Sequence, residues 1–252
     1  MFHFRMFSVV LSLCIVAFAS FPVYAQIELI QNGGFETGDF SHWKRWQQAG
    51  SPGEFQISGE SQTPSEQFPT PGAFSGAYYA VTDSNAPGTD GPSAYALYQA
   101  FMIPQATEKV TLHFDMFVND WFGAGALNTN GLIDYTQPTP TQFVRVDILT
   151  SDASPFTISP SDIVSNIYLG LDGTDAPYPY SGFDIDLTSL TTSGQTYQLR
   201  FASVANQFSL NMGVDNVSIT TVSAPEPCAF ILFVLGLSVF TGINTRCRKT
   251  SS

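Results

Sequence analysis

Between Gln26 and Val222 the side chains able to do chemistry are unevenly supplied. There are twenty Asp and Glu, two histidines (His42 and His113) and no cysteine. No G-x-S-x-G elbow, H-E-x-x-H pair or phosphate-cradling loop occurs. Acids this numerous make any one carboxylate pair uninformative as a glycosidase signature. A non-catalytic protein is expected. Two kinds of site remain open. Acids in turns can hold calcium, which takes carboxylate and backbone carbonyl oxygens together; Asp39, Asp83 and Asp90 are all turn acids. A sugar groove needs aromatic faces for the ring and planar polar groups for the hydroxyls. His113, Asp115, Phe117, Arg145, Asp147 and Arg200, followed closely in the chain by Trp121 in the first case, offer both on the outward faces of alternating segments. If those segments are neighbours the groups converge. The other reading is that His113–Asp115 and Arg145–Asp147 are cross-strand pairs on a solvated or loop-covered face.

The segments that must position these groups read as strands. Lys109–Asn119 alternates with Val110, Leu112, Phe114, Met116 and Val118 on one face. Gln142–Leu149 repeats the pattern with Val144, Val146 and Ile148 inward, and Tyr197–Val204 with Tyr197, Leu199 and Phe201. Further strands are expected at Glu54–Ser58, Ala73–Thr82, Tyr95–Met102, Gly182–Leu190 and Ser209–Val222, and a short helix or strand at Ser161–Leu169. Asp83–Pro92 and Asp120–Thr141 are long turn-rich excursions. No heptad, internal repeat or long amphipathic helix interrupts this series. The fold class is therefore all-β, an antiparallel β-sandwich.

Charged residues make up only 12% of the 252 residues, and aromatics 14%. The segment from Gln26 to Val222 holds five Lys and Arg against twenty acids, a net charge of −15, more acidic than the −12 of the whole chain. Such a surface repels nucleic acid and anionic membranes. The ends differ. Met1–Ala25 has Arg5, an apolar run to Pro22 and small residues before Gln26, the pattern of a secretory signal. Residues 224–252 hold Pro225-Glu226-Pro227, an uncharged apolar run over 228–243 and a basic end at 244–252 with Arg246, Arg248 and Lys249. Sixteen helical residues reach about 24 Å, enough for a single transmembrane helix with some thinning or snorkelling at its ends. Cations beyond the span keep to the cytoplasmic side, which puts residues 26–222 outside. All three cysteines (Cys14, Cys228, Cys247) lie in these end segments, so no disulfide staples the domain.

Three stretches carry resemblances. Pro225-Glu226-Pro227, the apolar run and the Arg-containing end resemble the PEP-CTERM sorting signal. This implies an exosortase-type membrane processing enzyme as partner and a role in extracellular polysaccharide or biofilm. The basic end, RCRK, departs from the family's unbroken Arg cluster. N-G-G-F-E-T-G-D-F-S-H-W (32–43) resembles the first strand of galactose-binding-like jelly rolls found among carbohydrate-binding modules, and G-V-D-N-V-S-I-T (213–220) resembles their last strand. The resemblance implies a structural calcium joining Glu36 to Asp215, and a carbohydrate ligand. The expectation is an exported cell-surface or matrix protein with a structural or carbohydrate-binding role. Alternatives are a secreted glycan hydrolase and a permanently anchored module without a small ligand.

Overall fold

The computed structural model describes residues 26–171 and 178–223, and the signal segment, the Pro-Glu-Pro motif, the apolar run 228–243 and the basic end lie outside them. Eleven strands are arranged in two antiparallel sheets. In chain order they are β1 (Gln26–Glu28), β2 (Lys44–Gln47), β3 (Gly53–Ser58), β4 (Tyr79–Ser84), β5 (Ser93–Met102), β6 (Thr107–Asp120), β7 (Gln142–Thr150), β8 (Ile163–Gly170), β9 (Ser181–Asp186), β10 (Thr196–Ala205) and β11 (Leu210–Ser223). One sheet runs β3-β4-β11-β6-β9, the other β2-β5-β10-β7-β8. β11 is long enough to serve two partners on one side, Val81 and Ala80 of β4 in its first half and β1 at Thr220–Val222. The class is the all-β sandwich expected from the alternation, and among the described residues no helix is long and apolar enough to cross a membrane.

The period-2 pattern decides the core. Val110, Leu112, Phe114, Met116 and Val118 of β6 meet Val144, Val146 and Ile148 of β7 and Tyr197, Leu199 and Phe201 of β10 between the sheets. Trp43, Phe35, Val217 and Ile219 join them, so the motifs at both ends of the domain supply core residues.

Neither outer face is left bare where the long connections cross it. On the β5-β10-β7 face, Ala94, Ala96, Ala202, Val204 and Phe143 are buried under Ile133, Tyr135, Phe156 and Ile158. Small alanines there let the 121–141 and 151–162 connections approach the backbone. On the opposite face Tyr79, Val81 and Phe117 are covered by Ala73 and Tyr180.

Segment 161–169, expected as a short helix or strand, is a strand, paired to β7 with two register irregularities. Two elements differ from the sequence reading. β2 has every residue exposed and hence no alternation to read. The strand expected at Ala73–Thr82 starts only at Tyr79. The amides of Phe74, Ser75, Ala77 and Tyr78 are taken by carboxylates instead of a neighbouring strand.

Candidate functional site

The polar groups expected to converge are divided between the sheets. His113, Asp115 and Phe117 belong to β6 in one sheet, and Arg145, Asp147 and Arg200 to β7 and β10 in the other. Their outward faces point to opposite sides of the sandwich, so no single groove can contain them.

Each set is consumed structurally. Arg145 donates to Asp147 through Nε (2.8 Å) and Nη2 (2.6 Å). Arg200 Nε donates to Asp147 Oδ2 at 3.1 Å, its Nη2 also reaches Asp147, and its Nη1 donates to the carbonyls of Pro155 (2.9 Å) and Thr157 (2.8 Å). Arg200 and Asp147 are completely buried. Burial would raise the Asp147 carboxyl, but the Arg145 hydrogen bonds and the charges of Arg200 and Arg145 outweigh it and hold it below the ordinary carboxylate value. The trio fastens the 151–162 connection onto the sheet. On the other face, Phe117 lies under Tyr79 and Tyr180, at ring separations of 6.0 and 5.0 Å. His113 sits between Asp184 (Nδ1 to Oδ1, 2.9 Å) and Asp115 (Nε2 to Oδ2, 3.5 Å), and Asn216 donates to Asp115 at 2.9 Å. Trp121 donates its indole N–H to Asn211 at 2.7 Å and stacks on Phe68 at 4.8 Å.

Glu36 and Asp215 both reach the 73–78 loop, as acceptors. Asp215 Oδ2 takes the amides of Phe74 (2.9 Å) and Ser75 (3.1 Å), and its Oδ1 that of Asn216 (2.7 Å). Glu36 takes the amides of Ala77 (3.0 Å to each oxygen) and Tyr78 (3.1 Å). The partial positive charge of these N–H groups faces the oxygens that a cation would need. Among the described residues no group of three His, Cys, Asp or Glu is placed to hold a metal. These amides occupy the same oxygens through which Glu36 and Asp215 would hold the calcium that the resemblance implies. The other turn acids are also engaged. Hydrogen bonds from the Ser41 and Thr37 side chains and the Ser41 amide hold the Asp39 carboxyl down at about 2. Asp83 accepts from the amide and hydroxyl of Ser65 (2.6 and 2.9 Å), while burial pushes its carboxyl up.

An open groove lies at one end of the sandwich, where the connections after β4, β6 and β10 meet. Its volume is ≈ 340 Å³, and its lining includes Asp90, Phe122, Gln207 and Phe208. Phe122 is 64% exposed and Phe208 41%, with ring centroids 5.7 Å apart at an interplanar angle of 36°. Such tilted rings present apolar faces to solvent without filling any core. Both are held in place. Asp120 caps the turn after β6, accepting from the amides of Phe122 (3.4 Å) and Gly125 (2.7 Å). Asn206 pins the short β10–β11 turn by donating to the Gln137 and Thr139 carbonyls, each at 2.9 Å, and accepting the Thr141 amide at 2.8 Å. A smaller cavity adjoins the groove, sharing Asp90 and Phe208 with it and adding Asp83, Tyr95 and Phe68. A larger groove of ≈ 570 Å³ over 58–66 is lined by polar residues and Pro64, with no aromatic. The Phe122–Phe208 groove combines two exposed ring faces with a carboxylate and an amide. Of the sequence candidates, Asp90 lines it. Phe122, Gln207 and Phe208 were missed, although a Phe in the four-residue turn 206–209 between two strands has no core face to fill, and that was a readable signal.

No family model matches the chain, and no curated protein is similar to it. Several solved structures align with it at low identity. TmCBM61 in complex with beta-1,4-galactotriose aligns at 11% identity over 77% of this chain and 97% of that one, with a TM-score of 0.45. The K3 cleaved adhesin domain of Lys-gingipain from Porphyromonas gingivalis aligns at 15% identity over 78% and 99%, also at 0.45. The Stig cyclase Fisc from Fischerella sp. TAU aligns at 15% identity over 79% and 100%, at 0.43. Likeness at this level assigns neither family nor function.

Proposed function

We propose that residues 26–223 form a non-catalytic carbohydrate-binding domain whose ligand lies in the Phe122–Phe208 groove. The observation that carries this reading is the exposed ring pair beside Asp90 and Gln207 on two anchored turns. Sugar rings stack on such faces, and the carboxylate and amide serve their hydroxyls. Phe122→Ala and Phe208→Ala are each expected to weaken oligosaccharide binding about tenfold, some 1.4 kcal/mol, without shifting the melting temperature. Titration calorimetry against a panel of hexasaccharides reads this. Affinities unchanged in both variants would remove the groove from the function.

A secreted glycan hydrolase is the second reading, and its support is that Asp83 and Asp90, two acids with carboxyls pushed up by burial, adjoin the groove. Against it, both oxygens of Asp83 are committed to Ser65. Sugar released from a bound glycan, and lost in Asp90→Asn, would favour the hydrolase.

The domain is exported and handed to an exosortase-type enzyme by Pro225-Glu226-Pro227, the 228–243 span and the basic end, for a role in the extracellular polysaccharide matrix. Gln26 pairs with Val222 and Ser223 with Thr107, so both ends of the domain lie together. The groove is at the other end of β11, about 45 Å along a fourteen-residue strand. Changing Pro225, Glu226 and Pro227 to Ala is expected to leave an unprocessed, membrane-retained protein. Normal trimming on an immunoblot would rule out the sorting role.

A further inference from the structure

We propose that the groove takes amino sugars bearing a free ammonium group and rejects anionic glycans, an inference that rests on the groove being a carbohydrate site. Charge is distributed unevenly around the groove. Asp90 lines the groove, and Asp83 stands behind it in the adjoining cavity. The five Lys and Arg of the domain are all placed elsewhere. Arg145 and Arg200 are buried on Asp147. Arg45 pairs with Glu54 at 2.9 Å, and Lys44 lies over the Tyr98 ring at 5.9 Å. Lys109 pairs across from Val222, at the end of β11 remote from the groove.

The other acids of the groove end are spoken for. Asp120 caps the Phe122 turn, and Asp134 accepts from Gln48, Thr136 and Gln137. Burial raises the Asp90 carboxyl, opposed by a hydrogen bond with Ser84, and among the described residues no Lys or Arg is paired with it. A ligand ammonium would supply that partner while the sugar ring stacks on Phe208 or Phe122. A uronate or sulfated unit would bring a negative charge up to Asp90, in a domain already at −15.

The test is titration of the full-length protein with glucosamine hexamer, N-acetylglucosamine hexamer and galacturonate hexamer at low and at physiological salt. The glucosamine hexamer is expected to bind about tenfold more tightly than its acetylated counterpart, with a preference that shrinks as salt rises. Galacturonate should not bind. Asp90→Asn should erase the preference, Asp90→Glu should keep it, and Phe208→Ala should weaken both hexamers alike. Equal affinity for the two hexamers, or a preference that survives Asp90→Asn, overturns the ammonium claim and leaves the sugar site standing. Binding that Phe122→Ala and Phe208→Ala leave untouched overturns the sugar site as well.

Discussion

Asp147→Asn is expected to destabilise the domain by about 3–5 kcal/mol, because it strands two buried guanidinium groups without a counter-charge. For a domain of this size that corresponds to a fall in melting temperature on the order of 10 °C. The reason is that one carboxylate answers both Arg145 and Arg200, at sites with almost no solvent contact. Asn166 completes the shell, donating to Asp147 Oδ1 at 2.8 Å. Asn at 147 would turn an amide N–H toward donors that need an acceptor. The effect follows pH with a definite sign. The folded-state carboxyl is held below its ordinary value, so its contribution is complete above that value and is lost as pH falls through the depressed one. Replacing all three side chains together with apolar ones of similar volume should cost far less, since no charge is then left buried alone. A melting temperature within about 2 °C of the parent for Asp147→Asn would show that the trio is not load-sharing in this way.

Asp215→Ala is expected to cost on the order of 3 kcal/mol, because the amides of Phe74, Ser75 and Asn216 lose their acceptor together. Asp215→Asn should cost much less. It keeps one acceptor oxygen and removes a charge whose burial already pushes the carboxyl up, a rise the Ser75, Asn216 and Phe74 amides only partly offset. The sign of the pH effect is opposite to that at Asp147. A raised folded value means that the penalty of the charge is relieved as pH falls from neutrality toward the ordinary Asp value. Gly76→Ala should loosen the same clamp from the Glu36 side, since φ there is +66° and a Cβ would stand 2.3 Å from Glu36 Oε1. A bridging cation makes the reverse prediction, with charge loss at Asp215 as damaging as truncation. Thermal melts with EDTA and with added calcium separate the two: the amide clamp expects no change, and a fall on chelation would restore the ion.

Much of the frame was legible in the sequence because a sandwich has one buried face per strand. The period-2 runs at 109–119, 142–149 and 197–204 named their core residues correctly, since burial between sheets acts on alternate side chains. The same logic fails on the outer face, where alternation predicts solvent but the long connections between strands fold back over it. Phe117, Asp147 and Arg200 are outward by strand geometry and buried by those connections. Lys44–Gln47 shows the converse, a paired strand whose exposed side chains leave no periodic trace. Ala73–Tyr78 has strand-like residues, but its amides found carboxylates 36 and 215, a competition invisible without knowing that those acids are near.

By itself the sequence determined the all-β class, the facing of the core strands, the absence of a disulfide in the domain and its strong negative charge, each a local or summed property of the residues. Which strands share a sheet, and so which polar groups can meet, was decided only by the tertiary structure, because pairing joins segments as distant as Gln26 and Val222. The same holds for the groove: Asp90, Phe122 and Phe208 are separated by long stretches of chain, and only the packing of three loops at one end of the sandwich brings them together.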